Sequence, residues 1–312
     1  MTSASPALAG NIDWPASASR SRSRREAILA WPFVLPFLIG LIVFLVVPCI
    51  GVVVLALTDW QLGDNAIRFA GLKNFKQLVS DDVFRRSFTN TMLYAAMVTP
   101  LSVIIGLWLA VTVERSSIGR AFFRSAFFLP VVSTTVAMAV VWEFLLHPAL
   151  GPVNALMSLM GLPRHVFLND VRTVLPTLAA IGIWENAGYN MVLFIAGLKA
   201  IPNDLYDAAA VDGAERPWER FWTVTLPLLG PTLLFVIIIS FLRSFRVFET
   251  VASITQGGPQ FASEVVLYTI YREGFVYFHV GYASALTVVF VALLLILTVV
   301  KFRLIDRSVH YQ

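Results

Sequence analysis

Charge is scarce in this chain. Only 13% of its 312 residues are Asp, Glu, Lys or Arg, against 58% hydrophobic residues. A water-soluble domain carries about 25% charged residues, so a soluble globular architecture is excluded. Cysteine is nearly absent: the single Cys49 rules out an intrachain disulfide, and its place in an apolar run suits a small packing residue. The four histidines (His147, His165, His279, His310) fall outside the apolar runs. His147 and His165, with no cysteine nearby, do not compose a metal site. There is no Gly-Xaa-Ser-Xaa-Gly elbow, no His-Glu-Xaa-Xaa-His and no Gly-Lys-Ser/Thr phosphate loop. Covalent catalysis and ATP binding by this chain are therefore not expected, and any ATP consumed on its behalf must bind another subunit. The net charge of +4 is not a nucleic-acid signature, because the basic residues flank apolar runs instead of alternating with stacking aromatics.

Long apolar runs are what the chain has. They cover residues 27–57, 88–113, 121–146, 174–199, 226–248 and 280–302, each with the ~20 residues that a helix needs to cross about 30 Å of hydrocarbon. Stretches such as Leu41 to Val47 and Val288 to Val300 do not alternate apolar with polar, which excludes a transmembrane barrel. The expectation is an all-α polytopic membrane protein of six transmembrane helices. With the N-terminus inside, 13 Lys and Arg fall in inner segments and 8 in outer ones, which places both termini in the cytoplasm. Residues 1–26, rich in Ala, Ser and Arg, read as a disordered cytoplasmic tail whose basic end suits anionic lipid. The run after them is too long for a signal-peptide core and lacks a cleavage site, so it reads as an uncleaved helix. Pro32, Pro36 and Pro48 should distort it.

Polar side chains inside these runs are costly unless they face water or a partner. The fourth run carries Trp184-Glu185-Asn186, then Tyr189-Asn190, whose spacing sets them on adjoining stripes of one helix. They would either line a polar path or form an interhelical hydrogen-bond cluster. The fifth run carries Ser240, Arg243, Ser244, Arg246 and Glu249, with Arg246 and Glu249 spaced for an i,i+3 ion pair. Arg243, roughly 26 Å along that helix, sits where it would either snorkel to the outer interface or face the path. Glu143 lies similarly near the outer end of the third run.

Between the fourth and fifth runs the chain reads IPNDLYDAAAVDGAERPWERFWTVTLP. Asn203 suits an N-cap, Asp204 and Asp207 suit the positive end of a short helix, and Gly213 suits its left-handed stop. The small residues Ala208, Ala209 and Ala210 leave the backbone approachable by a second protein's cleft. A further helix begins near Pro217, with Trp218, Phe221, Trp222 and Thr225 on one bulky face. Docking to a partner and lying alone in the membrane interface are equally open on these residues.

Asp207-Ala208-Ala209, Asp212-Gly213-Ala214 and then Leu226-Pro227 resemble the signature cytoplasmic loop, the EAA loop, of binding-protein-dependent ABC-importer permeases. More closely, the chain is similar to the carbohydrate-type permeases of the maltose and glycerol-3-phosphate importer class. Matches extend through residues 30–305: Gly71-Leu72, Asn74-Phe75, Phe84, Ser87, Asn90, Thr91, Trp142, Gly151, Asn154, Gly197-Leu198, Ile201-Pro202, Phe248, Thr255 and Gly257-Gly258-Pro259. Asp207 stands where that family usually has Glu, and the interval from Gly213 to Leu226 is longer by one residue.

The resemblance implies a type I ABC-importer permease in a bacterial-type cytoplasmic membrane. It would pair with a second homologous permease, two ATP-binding subunits holding ATP and Mg, and an extracytoplasmic solute-binding protein. The 203–213 helix would dock in an ATPase groove. Trp184, Glu185, Asn186, Tyr189, Asn190, Ser244, Phe245, Arg246 and Glu249 would line half of the path for a sugar or related polyol. Thr255, Gly257, Gly258 and Pro259 would touch the binding protein. A glycerophospho-compound is the alternative cargo. An ion-coupled secondary transporter using Glu185 fits less well, since no internal repeat is evident and it leaves the loop unexplained.

Overall fold

The computed structural model describes residues 31–115 and 119–306; the basic N-terminal segment lies outside them. Among the described residues there are helices and no named strand, only an isolated antiparallel bridge between Thr58 and Phe69. The chain divides into two units at residues 54 and 55. The described part of the first is the apolar helix α1, Trp31–Ala56, which runs two residues past the boundary. It widens into a π-turn at Ile42–Val46, where the Val47 N–H reaches the Ile42 carbonyl. The widening falls just before Pro48, which has no N–H with which to continue the ladder.

The second unit contains α2 (Lys73–Ser80), α3 (Asp82–Arg115), α4 (Arg120–Val132), α5 (Thr135–Leu145), α6 (Pro152–Leu159), α7 (Val174–Lys199), α8 (Asn203–Val211), α9 (Pro217–Leu228), α10 (Gly230–Phe245), α11 (Val266–Tyr271) and α12 (Val280–Asp306). Among the described residues four helices are long and apolar enough to cross a membrane: α1, α3, α7 and α12. Six result when two bent pairs each count as one span, α4 with α5 (bent by 102°) and α9 with α10 (70°). The third and fifth runs, continuous in hydropathy, are thus broken in space. Pro130 cannot donate to the carbonyl one turn back, and the chain turns extended at Ser133 and Thr134. Pro231 likewise cannot bond back to residue 227, so the helix restarts at Gly230.

The centre of this unit is α3 packed along α7, with α10 across both. In hydrocarbon no hydrophobic force drives this pairing, so close van der Waals fit and interhelical hydrogen bonds must supply it. Gly106 provides the fit: a Cβ there would stand 2.6 Å from Asn190 Cβ and 3.1 Å from the Ala187 carbonyl. Val103, Leu109, Met191, Phe194, Leu229 and Val236 fill the space around it. Asn190 supplies the bonds, donating to Ser102 Oγ of α3 (3.3 Å) and accepting from Ser240 Oγ of α10 (2.9 Å). Thr99 donates to Ser244 Oγ (3.2 Å) one layer away. Each such bond contributes about 0.6 kcal/mol between membrane helices.

Candidate functional site

A cavity of about 600 Å³ opens beside this three-helix contact, lined by Tyr94, Glu185, Asn186, Arg243, Arg246 and Glu249 together with Thr135 and Thr250. Arg243 folds onto α7. Its Nε donates to Asn186 Oδ1 (2.9 Å), its terminal nitrogen lies 3.5 Å from Glu185 Oε1, and its guanidinium covers the Tyr189 ring at 4.4 Å. One arginine is thereby held by three residues of α7. With both carboxylate and guanidinium about one-third exposed, the pair contributes under about 1 kcal/mol and serves mainly to set geometry.

Arg246 and Glu249 both reach the cavity but do not pair through a helix as their spacing predicts. α10 ends at Phe245, and Arg246 turns out of it, so the two residues no longer share a helical face. Trp184 stands exposed beside Glu185 and meets Trp142 edge-on at 5.4 Å. Three residues expected to line the path belong instead to packing. Asn190 is fully buried between Ser102 and Ser240, Ser244 is buried against Thr99, and Phe245 is buried against Phe241 and the α3 side chains. A step of 100° around α10 separates Ser244, which faces α3, from Arg243, which faces the cavity. Tyr94, Thr135 and Thr250 had no signal in the sequence, because no charge or spacing marks them out among their apolar neighbours.

At the other end of α7 lies α8. Asn203 is its first helical residue, and Pro202 holds the N-cap position with no side-chain bond. The carboxyl end is a Schellman turn: Gly213 N–H bonds the Ala210 carbonyl (3.3 Å) and Ala214 N–H the Ala209 carbonyl (2.9 Å), with Gly213 at φ +94°. Asp212 precedes it as C-cap. Arg220 Nε then bonds the Ala214 carbonyl (2.9 Å), and the Tyr206 and Thr225 hydroxyls meet at 3.1 Å, so α8 is fastened to α9. Leu226 and Pro227 lie in α9. No residue of α8 is buried, and Asp207, Ala208 and Val211 face outward.

Towards the opposite end, Thr255, Gly257, Gly258 and Pro259 form a tight turn. Ser263 Oγ donates to the Gly258 carbonyl (2.6 Å) and contacts Thr255 Oγ1 (2.8 Å), Gly257 has φ +82°, and the Gly258–Pro259 peptide is cis. The following segment is strapped to α3. Asn90 Nδ2 donates to the carbonyls of Phe261 (3.0 Å) and Glu264 (2.9 Å), and Thr91 Oγ1 accepts from Val266 N–H (3.1 Å). Beneath it the buried Glu264 accepts from Thr269 (2.9 Å) and Arg272 (3.1 Å). Burial holds this carboxyl above the usual carboxylate range against the opposing pull of Arg272 and Thr269.

The family model for "Binding-protein-dependent transport system inner membrane component" matches residues 102–311. The chain belongs to this family. It is 32% identical over 244 residues to the sn-glycerol-3-phosphate transport system permease protein UgpA of Agrobacterium fabrum, covering 78% of this chain and 83% of that one. The corresponding protein of Yersinia pestis is 33% identical over 245 residues, covering 78% and 82%. Among solved structures, a bacterial ABC transporter involved in import of the acidic polysaccharide alginate superposes with TM-score 0.81 at 24% identity, covering 94% of this chain and all of that one. A second structure of an alginate transporter, in complex with its alginate pentasaccharide-bound periplasmic protein, gives TM-score 0.79 at 24% identity, covering 92% and 97%. The permease is a multi-pass inner-membrane component of a binding-protein-dependent transport system.

Proposed function

We propose that the permease forms half of the translocation path for a sugar or related polyol in an ATP-driven importer. The observation that carries this is the cavity beside α7 and α10. Its two arginines and two carboxylates balance in charge, and its amide, hydroxyl and aromatic groups suit a neutral polyhydroxylated solute. The other half of the path belongs to a second, homologous permease. ATP and Mg²⁺ bind two separate ATPase subunits, and the chain itself carries no catalytic residue. α8 sits in a groove of one ATPase, and its fastening to α9 passes the closure of that groove to α10 as a rigid-body movement. The solute-binding protein meets the turn at Thr255 to Pro259, and both termini are cytoplasmic.

A second cargo, a glycerophospho-compound, is favoured by one feature. Arg246 reaches the cavity with no carboxylate within ion-pair distance among the described residues, and its fork suits phosphate. The relatives' names point to the same cargo. The deciding experiment is uptake by the complex reconstituted with its partner permease, ATPase and binding protein, across sugars, sn-glycerol 3-phosphate and glycerophosphodiesters. Uptake that needs both binding protein and ATP hydrolysis supports the importer, and the preferred solute decides between the cargoes. Uptake driven by an ion gradient without the ATPase overturns the proposal.

A further inference from the structure

A second cavity, of about 770 Å³, lies between the last turns of α3 and α7 and the elbow of α8 and α9. Its charge is one-sided. Arg115, Lys199 and Arg220 line it, and among the described residues the only carboxylate on its wall, Glu114, is already held by Arg120 (3.2 Å) and Arg124 (3.4 Å). Arg115 uses one terminal nitrogen on the Pro217 carbonyl (3.1 Å) and Arg220 uses Nε on the Ala214 carbonyl (2.9 Å), which leaves each with further N–H donors. Lys199 has no ion-pair or hydrogen-bond partner among the described residues.

Helix ends do not cancel this charge. The carboxyl ends of α3 and α7 bring about half a negative charge each, while the amino end of α8 brings about half a positive charge. Pro202 and Asn203 place that amino end on the cavity wall, with no side chain capping its N–H groups. An excess of about two to three positive charges remains, gathered around a space large enough for a tetrahedral anion and its hydration. Two guanidinium forks and an ammonium group are the donors that phosphate selects.

We propose that this cavity binds a phosphate-bearing anion between Arg115, Lys199, Arg220 and the amino end of α8. Its occupant braces the base of α8 against the ends of α3 and α7. Two sources share the chemistry: the headgroup of an anionic phospholipid and free phosphate. Exposed Trp218 and Trp222 on the neighbouring α9 are residues that settle at headgroup depth, which favours the lipid.

The test uses the transport complex in nanodiscs of phosphatidylcholine alone, with added phosphatidylglycerol, and with added inorganic phosphate. Melting temperature and lipid retention in native mass spectrometry are the readouts, and neither depends on which solute is carried. Phosphatidylglycerol should be retained and should raise the melting temperature, with about tenfold weaker apparent binding in Lys199→Gln, as expected for one lost charge-assisted bond. Lys199→Arg should restore it. If free phosphate alone stabilises the complex in phosphatidylcholine and Lys199→Gln removes the effect, the site stands with the soluble anion as ligand. Lys199→Gln removes an exposed side chain without a partner among the described residues, so it should melt like the unmodified complex in phosphatidylcholine alone. Indifference of the unmodified complex to both anions would overturn the proposal. So would anion effects in Lys199→Gln and Arg115→Gln as large as those in the unmodified complex.

Discussion

Helices α7 and α8 are separated by three residues, yet they are built for opposite surroundings. α7 buries half of its 26 residues, including Asn186, Asn190 and Phe194, against α3, α4 and α10. α8 buries none of its nine. A buried helix is specified by contacts within its own chain, so its polar residues must find partners there, as Asn190 does. A helix with no buried face contributes little to the stability of its own chain, and its conformation must come from local devices. The Schellman turn at Gly213 and the ties from Arg220 and Tyr206 are those devices.

The largest effect should come from breaking the local device of α8. Gly213→Val places a β-branched residue at φ +94°, where no atom lies within 4 Å of an added Cβ, so the penalty is conformational at about 1–2 kcal/mol. Membrane abundance should hold while ATP-dependent uptake falls at least about tenfold. Normal uptake at normal abundance would remove α8 from the coupling mechanism. The mirror experiment breaks the packing of α7. Gly106→Val drives side-chain atoms into Asn190 and the Ala187 carbonyl, costing about 1–3 kcal/mol. Here stability in detergent should fall with uptake, and an unchanged melting curve would mean that α3 and α7 do not need this approach.

Arg243→Gln sharpens the comparison inside α7. It leaves Glu185 without its guanidinium but removes only a partly exposed pair, so stability should change by under about 1 kcal/mol. Uptake should still drop several-fold, because the positions of Glu185, Asn186 and Tyr189 depend on that guanidinium. A double-variant cycle with Glu185→Gln measures the coupling. The smallest effect concerns the loop strapped to α3. Because Glu264 binds its proton more tightly folded than unfolded, its contribution to stability is full below the ordinary value of 4.5 and is lost as pH rises through the raised one. Glu264→Gln should flatten that segment of the stability–pH curve by a few tenths to about 1 kcal/mol. A slope unchanged by the substitution would assign it to another group.

The sequence made some of the site legible. Glu185 and Asn186 stand out because polar side chains are rare in apolar runs, and both line the cavity. The same logic selects Asn190 and Ser244, yet these face α3 and α10 instead of open space. Periodicity says which residues share a face, but only the placement of neighbouring helices says whether that face meets water or protein. The expected Arg246–Glu249 pairing failed for a related reason. The spacing assumed a continuing helix, and α10 stops one residue before Arg246. Tyr94 joins the cavity from α3 without any sequence mark.

By itself the sequence determined the solvent, the helical class and the α8 stop. Sparse charge, unbroken apolar runs and a glycine after a short alanine-rich helix each act through local or composition-level physics. Only the tertiary structure decided that two apolar runs bend, by 102° and 70°, at prolines that hydropathy averages over. It alone brought Arg243 onto Glu185, Asn186 and Tyr189, since that contact joins residues more than fifty positions apart on helices whose rotation is set by packing against α3.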